Sequence, residues 1–169
     1  MIARTQTLPG EAHRTLLAAL IATVAMLFTA FAAAYLERAG ARGWGTLPLP
    51  GLLWGNTGVL LASSVAAEVA RRRGARVALP LALLLGLLFL AGQAAAWREL
   101  QARGVFLPTS PYASFFYLLT GAHAVHVMAA LVALLVARTR PHVLGLAVVF
   151  WHFMGGVWLY VLGILLVLG

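Results

Sequence analysis

Five runs of apolar residues, each long enough to cross a bilayer, govern what this chain can fold into. They extend from about Arg14 to Glu37, Gly51 to Ala70, Val77 to Trp97, Ala113 to Ala137 and Val143 to Leu168. Crossing about 30 Å of hydrocarbon takes about 20 residues at about 1.5 Å of helical rise each. Inside the bilayer the backbone must satisfy its own hydrogen bonds, which leaves the helix as the spanning form. A hydrophobic content of 63% and a mean hydropathy of +0.96 rule out an ordinary soluble globule. The expected fold is all-α: a polytopic membrane bundle of five transmembrane helices forming a single membrane domain over 1–169, with a short N-terminal arm over 1–13. The first run is longer than the about 7–15 residues of a secretory signal core, and no polar region follows a small-residue cleavage site, so it reads as a retained helix.

The charge pattern fits this topology. All twelve cations are arginines and all four anions are glutamates, giving a net charge of +8. The arginines lie between the apolar runs and form no continuous basic face that could follow a phosphate backbone, which argues against nucleic acid as a partner. The N-terminal arm (Arg4, Arg14), the second connection (Arg71, Arg72, Arg73, Arg76) and the fourth (Arg138, Arg140) carry eight arginines against four on the other side (Arg38, Arg42, Arg98, Arg103). Positive charge is retained in the cytoplasm, so the N-terminus is expected inside and the C-terminus outside. Without cysteine there are no disulfides, thiolate-ligated metals or cysteine nucleophiles.

Prolines punctuate the runs. Pro50, Pro80, Pro111 and Pro141 each precede or open one, where a missing N–H does no harm. Ser110-Pro111 has the form of an N-cap followed by a first-turn proline. Gly40 to Gly51 reads as a loop, and the short arginine-rich second connection makes the second and third helices antiparallel neighbours. Close helix approach is expected at Ala30, Ala32, Ala33 and Ala34, at Ala62, Ser63 and Ser64, and at Gly155 and Gly156.

Among the polar side chains within the apolar runs, those that stand out are Asn56, Thr57, Ser63, Ser64, Gln93, His123, His126 and His152, with Glu68 near an end. His123 and His126 are three residues apart and share a helical face. Neutral imidazoles can ligate heme or metal, yet no acidic partner to orient them lies nearby in sequence. Hydrogen bonding between helices is the preferred reading. Trp151, His152 and Trp158 combine amphipathic rings with donors suited to lipid headgroups at interface depth. Glu68 has Arg71 and Arg72 at i+3 and i+4 and is expected to pair with them at the membrane surface. Glu37 beside Arg38, and Glu99 beside Arg98 and Arg103, are expected at solvated helix ends. No phosphate-binding glycine loop, Ser-His-Asp set, paired carboxylates or zinc-protease helix is evident.

Four stretches, in order, resemble subunit III of the heme–copper respiratory oxidases (cytochrome c oxidase subunit III) in its five-helix bacterial form. Phe116-Tyr117-Leu118-Leu119-Thr120-Gly121-Ala122-His123-Ala124-Val125-His126-Val127 is similar to that family's Phe-x-Leu-x-Gly-x-His-x-x-His-Val helix. Trp151-His152-Phe153-Met154-Gly155-Gly156-Val157-Trp158 resembles its Trp-His-Phe-x-Asp-x-x-Trp. Asn56-Thr57 with Ser63-Ser64, and Gln93 to Trp97 followed by Gly104-Val105-Phe106, resemble two further family patterns. The similarity extends from about Ile21 to the C-terminus. It departs from the family at Val24, where a glutamate is usual, and at Gly155, where an aspartate is usual.

The resemblance implies a noncatalytic accessory subunit of a terminal cytochrome c oxidase of aerobic respiration, in the bacterial cell (inner) membrane. Catalytic subunit I and subunit II would hold the hemes and copper, reduce oxygen and pump protons. This chain would carry no catalytic residue, metal or redox cofactor of its own. It would bind phospholipid in a cleft between helix groups and sustain proton uptake and turnover lifetime. Lipid contacts are expected at His123, His126, Trp151, His152 and Trp158. Quinol oxidase and nitric oxide reductase complexes are the sibling readings, and the Gln93–Trp97 region looks closer to the cytochrome c form. From other classes, a small independent transporter would have to use Asn56, Ser63, Ser64, Gln93 and the histidines as its polar path, and a membrane cytochrome would use the histidine pairs.

Overall fold

A computed structural model of the chain describes residues 9–39, 44, 49–74 and 77–167. Arg4, Arg42 and Arg76, most of the connection from Gly40 to Gly51, and Leu168 lie outside these residues. Five α-helices account for the five apolar runs: α1 Pro9–Ala39, α2 Leu52–Arg73, α3 Ala78–Ala102, α4 Pro111–Thr139 and α5 Leu144–Val167. A 3-10 turn, Pro141–Val143, leads into α5. Each helix is long and apolar enough to cross a membrane. Among the described residues there is no strand.

Most helices overrun the apolar stretch that seeds them, because polar end groups continue the helix into the interface. Pro9 to His13, expected in the N-terminal arm, already belong to α1. At the end of α2, Arg71, Arg72 and Arg73 oppose the negative end of the helix dipole. Arg71 and Arg72 both bond the Glu68 carboxylate, as their spacing predicts. Gly74 then stops the helix with a left-handed φ of 59°, a conformation glycine adopts without Cβ strain. In α3 the Glu99–Arg103 pair extends the last turn beyond Trp97. Ser110 caps α4 as expected: its Oγ accepts from the Ala113 N–H at 3.1 Å, and Pro111 occupies the first turn.

Hydrogen bonds set the register of the bundle. Asn56 Nδ2 donates to the Phe89 carbonyl at 2.9 Å, and Ser63 Oγ donates to the Ala82 carbonyl at 2.7 Å. The two donors ascend α2 while their acceptors descend α3, which makes this pair antiparallel. Helix α5 packs against α1, α2 and α4, and α3 closes the other side against α2 and α4. Helix α1 offers a narrow buried stripe of Val24, Phe28, Ala32 and Tyr35, spaced at i, i+4, i+8 and i+11 as one helical face requires. It joins the others through aromatic edges: Phe28 meets His123 and His126, and Tyr35 meets Tyr112 and Phe115.

Among the described glycines, the two with the least room for a Cβ lie in α3, where small-residue clustering did not point. A Cβ on Gly86 would fall 2.6 Å from Leu131 Cδ2 and 2.7 Å from the Trp151 ring. One on Gly92 would fall 2.3 Å from Asn56 Oδ1. By contrast Ala30, Ala33 and Ala34 of α1 and Ala62 of α2 are exposed. A Gly86→Ala chain should therefore lose about 1–3 kcal/mol through overpacking. Gly58→Ala, with nothing within 4 Å of its new methyl, should hold or gain up to about 1 kcal/mol from helix propensity. Unfolding midpoints of the two variants in mixed micelles, measured against wild type, check both signs.

Candidate functional site

The polar residues of the apolar runs are used mostly to tie helices together. Two threonine–tryptophan clasps have the same construction. Thr57 Oγ1 donates to the Leu53 carbonyl one turn earlier at 2.7 Å, leaving its lone pairs to accept Trp158 Nε1–H from α5 at 2.9 Å. Thr120 Oγ1 likewise donates to the Phe116 carbonyl at 2.6 Å and accepts Trp97 Nε1–H from α3 at 3.1 Å. A hydroxyl that discharges its proton within its own helix is a ready acceptor for an indole with no water to turn to. At the start of α4, Tyr112 Oη donates to the Leu165 carbonyl of α5 at 3.0 Å.

His152 links α5 to α2. Its Nδ1 lies 2.6 Å from Ser64 Oγ, and its Nε2 lies 3.4 Å from Glu68 Oε2. A carboxylate only accepts, so Nε2 carries the proton and Nδ1 accepts from the Ser64 hydroxyl. Glu68 in turn bonds Arg71 and Arg72. The acidic partner that no neighbour in sequence supplied thus comes from another helix. The five groups form one chain from the helix interface to the surface, and Ser64, His152, Glu68 and Arg72 among them line an open cavity of about 430 Å³.

The other histidines depart from the expected interhelical bonding. His123 is fully buried, and neither ring nitrogen has a hydrogen-bond partner. It packs as an aromatic ring, with centroids 5.3 Å from Trp158, 5.9 Å from Phe89 and 6.3 Å from Phe28. His126 is half-buried, and its Nδ1 donates to the Ala122 carbonyl of its own helix at 2.7 Å. That bond needs no second helix, which is why only His152 reaches across. Both α4 histidines meet Phe28, consistent with their shared face. Trp151 and Trp158 are fully buried, Trp151 lying over Gly86. Three of the five expected lipid contacts therefore sit inside the bundle, while His126 and His152 keep exposed surface. Among the described residues, no three His, Cys, Asp or Glu side chains converge into a cluster able to hold a metal ion.

Sequence reasoning missed three of these partners: Thr120, Tyr112 and the return of Glu68 to His152. Thr120 had a usable signal, being a hydroxyl inside an apolar run one turn before His123. The pairing across 84 residues between Glu68 and His152 had none.

Fold and bonding define a multi-pass helical membrane protein whose indoles, hydroxyls and one imidazole join its helices. Residues 40–168 match the family model described as Cytochrome c oxidase subunit III, and the chain belongs to that family. Similar proteins include the cytochrome c oxidase subunit 3 of Corynebacterium diphtheriae, 36% identical over 118 residues, covering 60% of this chain and 58% of that one. The probable cytochrome c oxidase subunit 3 of Nocardia farcinica is 36% identical over 120 residues, or 61% and 59%. That of Mycobacterium tuberculosis is 37% identical over 86 residues, or 45% and 42%. The chain spans about half the length of the curated relatives it matches. All of α1 lies outside the family match. Val24 is a buried core residue, and Gly155 is buried facing Ser64.

The clasps are measurable. Thr57→Val should leave the Trp158 N–H unpaired and lower stability by about 1–2 kcal/mol. A double-mutant cycle with Trp158→Phe should return a coupling of about 0.6–1.7 kcal/mol, the scale found for side-chain bonds between membrane helices.

Proposed function

We propose that this chain is a noncatalytic accessory subunit of a terminal heme–copper cytochrome c oxidase. In this reading, catalytic subunit I and subunit II hold the hemes and copper, and subunit III packs against the heme-bearing chain and prolongs its working life. The observation that carries it is the family match over residues 40–168. The structure is compatible with it, since the polar side chains inside the membrane are spent mainly on bonds within and between the helices. The N-terminus is cytoplasmic in this proposal, as the arginine count favours.

Phospholipid contact belongs to the same proposal, divided by burial. His126 and His152 present their rings to lipid, whereas His123, Trp151 and Trp158 shape the wall behind them. Mild-detergent affinity purification of the full chain should recover two larger subunits with heme and copper. A chain that returns alone, or with a heme spectrum of its own, would exclude the reading. His152→Ala should lower the yield of assembled complex or shorten its activity during turnover, with the heme spectrum of the intact complex unchanged. Loss of a heme signal from a complex that stays whole would count against the noncatalytic role.

A further inference from the structure

In each threonine–tryptophan clasp a hydroxyl donates to the carbonyl one turn earlier in its own helix and accepts a ring N–H from a neighbouring helix. An indole is only a donor, so these roles are fixed. The Ser64–His152 contact has the same parts with the roles reversed. Glu68 takes the Nε2–H, which leaves Nδ1 as the acceptor, and the Ser64 hydroxyl must donate to it across 2.6 Å. That hydroxyl is thereby kept from the Leu60 carbonyl one turn earlier, the acceptor that a serine inside a helix otherwise uses. Unlike an indole, an imidazole can gain a proton near neutral pH.

Protonation would reverse the contact. With hydrogen on both ring nitrogens, Nδ1 can only donate. Ser64 Oγ then accepts, and its own proton turns to the Leu60 carbonyl, which reproduces the threonine–tryptophan construction. At the other nitrogen the 3.4 Å contact with Glu68 becomes a charge-assisted bond. Gly155 leaves the hydroxyl room to turn, since even a Cβ there would stop 3.9 Å from Ser64 Oγ. Protons have a way in, because the His152 side chain is 39% exposed and shares its open cavity with Arg72 and Arg73 at the helix end. Charged neighbours of the ring come mainly from α2. Glu68 attracts an imidazolium, Arg72 and Arg73 repel it, and Arg71 lies on the far side of the carboxylate. Helix α1 brings His13 and Arg14, and the 3-10 turn His142, to the cavity beside Arg71 and Val149, while Glu11 lines neither cavity. In α4, Arg138 lines a separate cavity, His126 bonds its own helix and His123 packs among aromatic rings. Among the described residues, Glu68 is the one acid that bonds the ring.

We propose that Ser64, His152 and Glu68 form a proton-operated clasp, in which the neutral ring accepts from Ser64 and the charged ring donates to both α2 side chains and grips them more firmly. Helices α2 and α5 then share one fixed tie, Thr57 with Trp158, and one that tightens in acid at the arginine-rich end of the bundle. The ring is the one assigned above to lipid contact, yet the clasp needs neither lipid nor an oxidase partner.

The test uses the full-length chain in lipid-free detergent micelles with nitrogen-labelled histidine. Lipid contact and recovery of oxidase subunits are scored elsewhere, so the two proposals fail independently. The His152 ring is assigned by the resonances that His152→Gln removes. At about pH 8 it should show a protonated Nε2 and a bare Nδ1, and at about pH 5.5 both nitrogens protonated. A double-mutant cycle of Glu68→Gln with His152→Gln cancels what Glu68 gives Arg71 and Arg72. Its coupling, read as an unfolding equilibrium constant, should grow about fivefold between those pH values, the margin of a charge-assisted bond over a neutral one. The sign follows because contacts made only by the charged ring add stability in acid and are lost as pH rises through its titration. Ser64→Ala, which removes the acceptor for Nδ1–H, should shrink that growth, and His126→Gln should leave it intact. The Thr57 and Trp158 cycle should give the same coupling at both pH values. A Glu68–His152 coupling that stays level or falls on acidification would overturn the proposal. So would a bare Nε2 at the higher pH, or a ring still neutral at the lower. Should Glu68→Gln not fold, the wild-type ring spectra and the Ser64→Ala chain decide it by themselves.

Discussion

A polar group inside the bilayer has no water to fall back on, and the bundle is arranged around that constraint. The indoles of Trp97 and Trp158 find threonine oxygens on neighbouring helices. The amide of Asn56 and the hydroxyl of Ser63 reach backbone carbonyls of α3. Such bonds are individually modest in membranes, because the separated helices also find partners. Their stronger effect is on register: sliding any helix by one turn would strand several of them at once. Packing then follows, with Gly86 admitting the Trp151 ring and Gly92 admitting the Asn56 amide.

Charge is kept to the ends and handled differently at each position. Glu68 bonds both Arg71 and Arg72 and also steers the proton on His152, so one carboxylate serves the helix end and the α2–α5 interface. The family resemblance places a carboxylate at position 155, where this chain has glycine. Here the carboxylate facing His152 comes from α2 instead, and Gly155 is buried facing Ser64. Val24, the other position at which the resemblance would put an acid, is packed in the core beside Phe28. Glu68 sits near the end of its helix, where Arg71 and Arg72 supply counter-ions.

Membership of the subunit III family and the geometry of the histidines are mutually consistent. A ring caged by Phe28, Phe89 and Trp158, as His123 is, serves as a shaped aromatic block. A ring held by its own helix, as His126 is, remains turned toward the bundle surface. Only His152 combines exposure, an interhelical bond and a link to charge, which makes it the most informative position in the chain for function.

Composition and periodicity by themselves determined that the chain is a five-helix membrane bundle, because hydrocarbon leaves a long apolar run no other form. Local chemistry was equally legible: the Ser110-Pro111 cap and the Glu68 pairing with Arg71 and Arg72 lie within one helical turn, where spacing dictates contact. Motif order also carried the family. Tertiary structure alone decided which polar group meets which. Thr57 with Trp158, Ser64 and Glu68 with His152, and the gathering of His13, Arg14, Arg71 and His142 join residues far apart in sequence. Their meeting depends on the rotation and depth of whole helices, and those are set by the summed packing of the bundle, with Gly86 and Gly92 as its closest approaches.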